Sequence, residues 1–227
     1  MKKKLKFLCI ALCIIISFYT VSPINASAVA ANGRAVLLGV TNNGHNHTSC
    51  LNTISTNLEN CSFTPYTIFS TTTTVNTILN CLDFNTNTIF VSRSHAYYNG
   101  SFLSQTSTYI KLNDSPSVTF SSLDIPTTKD LSNLKLAMFI GCYTGLGGSS
   151  EPNLVNTVVA RGATTAVGFK QEISCSGANL WTKNFFELME DGYTVYDACS
   201  LLSASDNFMA TPLAEITICG YKYLTIN

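Results

Sequence analysis

The sequence predicts an α/β fold in which a mostly parallel sheet is covered by helices on both faces. Short apolar runs bounded by turn residues alternate along most of the chain with stretches whose apolar residues recur at helical spacing. Residues 96–125 break this rhythm, because they show strand-like alternation and turn residues without a helical period. We therefore expect one α/β domain over residues 34–227 with an antiparallel insertion near its middle.

The first 28 residues have the three-part layout of a secretory signal peptide. Lysines near the start precede an apolar run, and small residues then allow cleavage after Ala28 or Ala30. The apolar run is too short for a stable anchor, and no later stretch is long and apolar enough to span a bilayer. We expect a secreted, extracellular protein that leaves the membrane after cleavage, and the low charge is typical of an exported protein from a Gram-positive bacterium.

Charge and motifs exclude several classes of function. Removal of the signal peptide takes four lysines and no acid from the 13 basic and 13 acidic residues, which changes the net charge from 0 to −4. No cluster of Lys or Arg follows Lys6, so nucleic acid is not an expected partner. No P-loop and no G-x-G-x-x-G follows a strand, so no nucleotide cofactor is expected. A G-x-S-x-G elbow is missing too, since "GCYTG" has Tyr143 at its centre.

Three strands and two helices are predicted before the insertion. The strands are "RAVLLGV" from Arg34, "TPYTIFS" and "NTIFVSRSH", which ends at His95. The apolar faces of the two intervening helices are Leu51, Ile54, Leu58 and Cys61, and Val75, Ile78, Leu79 and Leu82.

The insertion and the segment after it predict a different local structure. Residues 96–125 indicate one or two exposed antiparallel hairpins. A short helix is expected at about residues 127–134.

Three further strands alternate with helices in the second half of the chain. The strand "LKLAMFI" leads directly to Cys142, "ATTAVGF" follows, and "AEITICGYKYLTI" closes the chain with a bend at Gly220. One helix is expected between Pro152 and Gly162, because proline favours helix starts and glycine favours helix ends. Two more are expected at about residues 178–190 and 195–202.

Two reactive side chains follow neighbouring strands of this sheet. His95 ends the third strand and Cys142 follows the fourth, and ligand sites of such sheets lie beyond the carboxyl ends of the strands. Sequential strands usually pair at ~4.8 Å, which brings the two side chains within reach of each other. An imidazole can take the proton of a thiol and later protonate a leaving amine. The simpler alternatives are that Cys142 is a core residue and that His95 is a strand-end residue without a catalytic role.

Seven cysteines remain after the signal peptide: Cys50, Cys61, Cys81, Cys142, Cys175, Cys199 and Cys219. An odd number leaves at least one thiol without a partner in the chain. No C-x-x-C spacing occurs, which argues against zinc ribbons and thioredoxin-type motifs. Packing is the expected role of Cys50, Cys61, Cys81, Cys199 and Cys219.

The arrangement resembles the caspase-like cysteine peptidases, the fold shared by caspases, gingipains, clostripain, separase and CHAT-type proteases. The histidine and the cysteine stand 47 residues apart (142 − 95), close to the caspase spacing of about 50. "GCYTG" looks like the A-C-x-T-G of CHAT-type members, and "NFFELMEDGYTVYDA" looks like their following helix. The resemblance implies a three-layer sandwich with a six-stranded, mostly parallel sheet and a β-hairpin insertion between its third and fourth strands.

The resemblance also implies roles for individual residues. Cys142 would be the nucleophile and His95 the acid and base, and the amides of Cys142 and Ala96 would form the oxyanion hole. Family members usually have glycine where this chain has Ala96, which tolerates fewer backbone conformations. The aspartate that binds basic substrates in metacaspases and clostripain is replaced by Ile140. Glu172 stands near the acid that does this in separase and CHAT-type proteases, and would favour Arg or Lys before the cut bond.

His45 and His47, in "NNGHNHTSC", raise the question of a metal. A zinc site takes three or four ligands, and no carboxylate or further histidine stands nearby in the sequence. We expect no metal and no cofactor. Because this loop follows the first strand, both histidines are candidates for lining the substrate pocket.

We therefore expect a secreted cysteine endopeptidase that acts on a peptide or protein substrate. The alternative is a catalytically inactive binding module that has kept the fold, for which Ala96 and Ile140 argue. A peptidase domain that cuts itself or one dedicated partner is a third possibility. The sequence does not indicate an oligomeric state.

Overall fold

The computed structural model describes residues 32–40, 47–70, 73–83, 85–99, 107–114, 117–147, 153–204 and 215–227. The predicted signal peptide and its cleavage site lie outside these residues. No helix in the described ranges is long and apolar enough to cross a membrane. The described elements, in chain order, are β1 (Arg34–Val40), α1 (Thr48–Asn60), β2 (Thr64–Ser70), α2 (Val75–Asp83), β3 (Asn87–Arg93), β4 (Ala96–Asn99), β5 (Ser107–Asp114), β6 (Ser117–Ser121), a 3-10 turn (Ser122–Asp124), β7 (Leu136–Ile140), α3 (Leu154–Ala160), β8 (Thr165–Phe169), α4 (Cys175–Glu190), α5 (Val195–Ala204) and β9 (Ile216–Gly220).

Six of the strands form one sheet in the order β2-β1-β3-β7-β8-β9. All neighbouring strands in it are parallel except β8 and β9, which are antiparallel. The predicted six-stranded, mostly parallel sheet is confirmed, and β3 and β7 are neighbours as expected. The direction of β9 was not predicted from its residues.

The sheet is buried on both faces, and successive residues of a strand serve opposite faces. Ile89 and Val91 of β3 belong to one core with α1, α4 and α5, whereas Phe90 belongs to a second core with α2 and α3. In the first core, Trp181 lies with its ring centroid 5.0 Å from that of Phe169 and 5.2 Å from that of Phe185. This two-sided burial explains why the strands read as continuous apolar runs.

The insertion between β3 and β7 is a three-stranded antiparallel sheet in the order β4-β5-β6. The predicted hairpins are therefore present. The expectation that they are exposed is wrong for one face, because Ile110, Leu112 and Phe120 are fully buried in the second core. These buried residues alternate along their strands with polar residues, as expected of a sheet that packs on one face only.

The predicted helix at about residues 127–134 does not form. The Asp130 carboxylate accepts a hydrogen bond from the Ser132 amide (3.0 Å), and the Leu131 amide donates to the carbonyl of Arg161 (2.8 Å). Local side-chain bonds of this kind compete with helical hydrogen bonds, so the segment consists of turns.

The helix α4 begins earlier than the apolar pattern indicated. Ser174 is its N-cap and accepts a hydrogen bond from the Gly177 amide (3.0 Å). Cys175 therefore lies in the first helical turn, at the same end of the sheet as the strand ends described below.

Buried thiols make the fold sensitive to alkali. Burial raises the pKa of Cys50 and of Cys81 from 9.0 to about 11. An unfolded chain releases these protons near pH 9 while the folded chain keeps them, so stability should fall as the pH rises from about 9 to 11. The fall is about 1.4 kcal/mol per pH unit for each thiol.

Urea unfolding at pH 7.5 and at pH 10 measures this loss. In a Cys81→Ala variant the free energy of unfolding should depend less steeply on pH than in the wild type. Equal slopes in the two proteins would contradict the assignment.

Candidate active site

His95 and Cys142 occupy equivalent positions at the ends of two adjacent parallel strands. The last paired residues of β3 and β7 are Arg93 and Ile140, and the Ser94 amide donates to the Ile140 carbonyl (3.2 Å). His95 and Cys142 each stand two residues beyond that pair. The register thus places the two predicted dyad residues at the same end of two adjacent strands.

Gly141 allows the two strand ends to approach closely. A Cβ atom placed on Gly141 would lie 2.7 Å from the Ser94 carbonyl oxygen and 3.0 Å from the Cβ of Ala96. Real Cβ atoms do not approach backbone oxygen so closely, so only glycine fits here. The residue before Cys142 therefore packs directly against the two residues that flank His95.

The turn after Cys142 is fastened to β8. The buried Thr144 hydroxyl donates to the Phe139 carbonyl (2.6 Å) and accepts from the Phe169 amide (3.2 Å). The Gly145 amide donates to the Phe169 carbonyl (2.8 Å). Tyr143, directly after Cys142, has a backbone φ of 60°, a value that residues other than glycine rarely adopt. These contacts hold the Cys142 backbone in one position.

Cys142 is half-buried, and its sulfur faces the loop that follows β8. Its Sγ lies 3.6 Å from the Ile173 carbonyl oxygen, to which a thiol can donate. The Ile173 amide in turn donates to Sγ at 3.4 Å. The sulfur therefore lies beside backbone polar groups of this loop.

The backbone around His95 sets the direction of the next amide. The side chain of His95 is half-buried, and its carbonyl accepts a hydrogen bond from the Lys111 amide of β5 (2.9 Å). In a trans peptide the carbonyl and the following N–H point in opposite directions. The Ala96 N–H therefore points away from β5, and its nitrogen lies 3.5 Å from the Cβ position built on Gly141.

Ala96 adopts a conformation that does not require glycine. It is the first residue of β4, and its φ is not positive. The usual glycine at this position is thus not needed for the backbone geometry that this chain adopts. The expected oxyanion-hole role of the Ala96 and Cys142 amides stays a prediction.

Glu172 lies on the same side of the site as the sulfur. Its exposed carboxylate accepts a hydrogen bond from the Tyr143 hydroxyl (3.1 Å). Partial burial of Tyr143 and this hydrogen bond to Glu172 both raise the pKa of that hydroxyl. The Tyr143 ring centroid lies 6.1 Å from that of Tyr98. Tyr143, the neighbour of Cys142 in the chain, therefore contacts both Glu172 and Tyr98.

Sequence reasoning missed both tyrosines. No local pattern marks either position: Tyr143 directly follows Cys142, and Tyr98 stands three residues after His95. Ile140, which replaces the acid of some family members, is fully buried in the core.

The two remaining predicted site residues precede α1. His45 lies outside the described residues. His47 is buried, and its carbonyl accepts the first helical hydrogen bond of α1, from Leu51 (3.0 Å). Among the described residues, no group of three or more His, Cys, Asp or Glu side chains could hold a metal ion. The substrate-lining role of both histidines stays a prediction.

Four of the six other cysteines in the described ranges are buried: Cys50, Cys61, Cys81 and Cys199. All seven cysteines in the described ranges are free thiols. Burial raises the pKa of Cys50, Cys61, Cys81, Cys199 and Cys219, which keeps these five protonated at neutral pH. Besides Cys142, only Cys175 and Cys219 are half-buried rather than buried.

Similarity to known proteins is found at the level of structure. No family model and no curated protein sequence matches the chain. The crystal structure of the Arg-specific cysteine proteinase gingipain R aligns with a TM-score of 0.62 at 11% identity, covering 88% of this chain and 49% of that one. A complex of the pro- and mature domains of Porphyromonas gingivalis RgpB aligns with a TM-score of 0.60 at 11% identity, with coverages of 85% and 48%.

Separase from Saccharomyces cerevisiae, in complex with securin, aligns with a TM-score of 0.54 at 15% identity. The alignment covers 86% of this chain and 12% of separase. The chain thus spans half or less of the length of these structural neighbours. With its sheet order, its helices on both faces and its insertion after β3, the chain has the caspase-like fold of these cysteine peptidases.

Proposed function

We propose that the protein is a secreted cysteine endopeptidase that uses His95 and Cys142 to hydrolyse peptide bonds. The observation that carries the proposal is the register of β3 and β7, which sets an imidazole and a thiol two residues beyond the same strand pair. Similarity to gingipain R and separase supports the same chemistry through the fold. Export rests on the N-terminal sequence alone.

The proposed reaction has two steps. The Cys142 thiolate attacks the peptide carbonyl carbon, and His95 transfers a proton to the leaving amine as the C–N bond breaks. The oxyanion that forms in between accepts hydrogen bonds from the Cys142 and Ala96 amides. Water then attacks the thioester with His95 as the base, which releases the acid and restores the thiol.

The direct test is digestion of a peptide library by the chain that begins after Ala28. The wild type should cleave peptides, and Cys142→Ala should lower the rate by about 10⁴-fold or more. Cys219→Ala is the matched control, since Cys219 is half-buried in β9, away from Cys142. Cleavage that survives in Cys142→Ala would refute the proposal.

A thiol-reactive peptide probe separates the peptidase from the binding module. A peptidase should label at Cys142 much faster than a free thiol does. A binding module should show no such preference. Mass spectrometry of the stored protein would reveal cleavage of the chain by itself.

Glu172 supports a preference for a basic residue before the cut bond. An exposed carboxylate at the rim of the site can pair with an arginine or lysine side chain of the substrate. Glu172→Gln should lower kcat/KM for such substrates roughly tenfold, the value of one charge-assisted hydrogen bond. Substrates with a neutral residue at that position should be cleaved as before.

The matched control is Glu187→Gln, which removes an exposed carboxylate from α4. It should leave both classes of substrate unaffected. An equal loss on basic and neutral substrates in Glu172→Gln would assign Glu172 a structural role instead.

A further inference from the structure

Arg93 is a buried arginine at the last position of β3, two residues before His95. Arg93 is 5% exposed, and it lies on the same sheet face as Ile89 and Val91, under α4. Alternation along a strand places a hydrophobic residue at such a position. Burial lowers the pKa of its guanidinium, as expected when a charge is taken out of water.

The guanidinium joins three parts of the site. One terminal nitrogen, Nη1, lies 3.4 Å from the Ser94 carbonyl oxygen and 3.3 Å from the Ile140 carbonyl oxygen. It therefore bridges the ends of β3 and β7, one residue before His95 and two before Cys142. The planar, five-donor fork of arginine allows such bridging, which a lysine ammonium does not reproduce.

The rest of the guanidinium holds the start of α4. Nε donates to the Asn179 side-chain oxygen (2.9 Å). Nη2 lies 3.2 Å from both the carbonyl oxygen and the sulfur of Cys175. Two residues earlier in the chain, Ile173 forms the contacts to the Cys142 sulfur.

Within the described residues, Arg93 donates hydrogen bonds to backbone carbonyl oxygens, to one side-chain amide oxygen and to one sulfur. None of these acceptors is a carboxylate. The acidic group that it contacts is the thiol of Cys175, 3.2 Å from Nη2. A buried charge costs several kcal/mol in desolvation, and a well-packed hydrophobic residue often serves stability equally well. The position and the unusual partners of Arg93 therefore point to the site rather than to the core.

We propose that Arg93 is the positioning residue of the site: its fork clamps the strand ends that carry His95 and Cys142 to the start of α4. This inference rests on the proposed function, because it takes Cys142 as the nucleophile. It assigns Arg93 no contact with the substrate.

Two variants separate the fork from the charge. Arg93→Met removes both, and Arg93→Lys keeps the charge and loses the bridge. We measure the kcat and KM of each variant for a cleaved peptide and, in the wild type, the alkylation rate of Cys142 by iodoacetamide, resolved by peptide mass spectrometry. Circular dichroism and thermal unfolding establish that each variant is folded.

Arg93→Met should lower kcat about 100-fold at nearly constant KM. Arg93→Lys keeps the charge but loses the bridge. It should still lower kcat at least about tenfold at nearly constant KM, because misplaced reacting groups slow the chemical step. Arg161→Met, which removes a half-buried arginine that donates to the Pro126 carbonyl, should change neither quantity.

A folded Arg93→Met variant with wild-type kcat would overturn the inference. If that variant does not fold, Arg93→Lys decides: wild-type kcat overturns the clamp, and a lowered kcat at constant KM supports it. Failure of the proposed function gives a different result, because the wild type would then neither cleave peptides nor label at Cys142 faster than at Cys219.

Discussion

Replacement of His95 by alanine is expected to lower kcat/KM for peptide cleavage by about 10⁴-fold, comparable to the loss of a base in other nucleophile–base pairs. The nucleophile would then have no group to take its proton, and the leaving amine would have no proton donor. The fold should survive, because His95 is bonded to β5 through its carbonyl, which alanine retains.

Kinetics with a fluorogenic peptide and a thermal unfolding curve together measure the effect. Tyr97→Phe is a suitable control, because Tyr97 is exposed, lies two residues away and stacks on Tyr109 with ring centroids 5.8 Å apart. It should retain activity within about twofold, since it removes only an exposed hydroxyl. A His95→Ala variant with activity within tenfold of the wild type would rule out His95 as the acid and base.

The second large effect is expected from Gly141→Ala. The added methyl group would meet the Ser94 carbonyl oxygen at 2.7 Å, and backbone oxygen cannot turn away as a flexible side chain can. The ends of β3 and β7 must then separate, which moves Cys142 relative to His95. We expect kcat/KM to fall about 100-fold, the cost of misplacing reacting groups by about 1 Å. Overpacking should also cost about 1–3 kcal/mol of stability.

Peptide kinetics and urea unfolding of the same preparation separate the two effects. The matched control is Gly177→Ala in the first turns of α4, where alanine is favoured over glycine by up to about 1 kcal/mol. That variant should be as stable as the wild type or more so. Wild-type kinetics in Gly141→Ala would show that the close approach of the strand ends is not needed.

Much of the fold could be predicted because apolar spacing reports directly on burial. The strand predicted from "NTIFVSRSH" and the helix predicted from Leu51, Ile54 and Leu58 are both observed. The strand is Asn87–Arg93, which ends two residues before His95, and the helix is Thr48–Asn60. The wrong predictions lie where local hydrogen bonds, rather than the spacing of apolar residues, determine the structure. Asp130 and Ser132 form a turn where a helix was expected, and Ser174 starts α4 at Cys175, before its apolar face begins.

The candidate site was predictable in part. His95 and Cys142 could be identified because both follow strands, and strand ends meet at one edge of a parallel sheet. Arg93 and Tyr143 could not, since a charge inside a strand and a tyrosine after a cysteine have no fixed meaning in a sequence. Their roles depend on contacts with Cys175 and Glu172, about 80 and 30 residues away along the chain.

Local apolar patterns specify the alternation of strands and helices, the buried sheet and the two strand ends that carry the imidazole and the thiol. Three features are visible only in the folded chain: Gly141 lies against Ser94, the Ala96 amide points away from β5, and Arg93 bridges β3, β7 and α4. Such contacts join residues distant in the chain, so their distances and directions arise only when the sheet is assembled and packed.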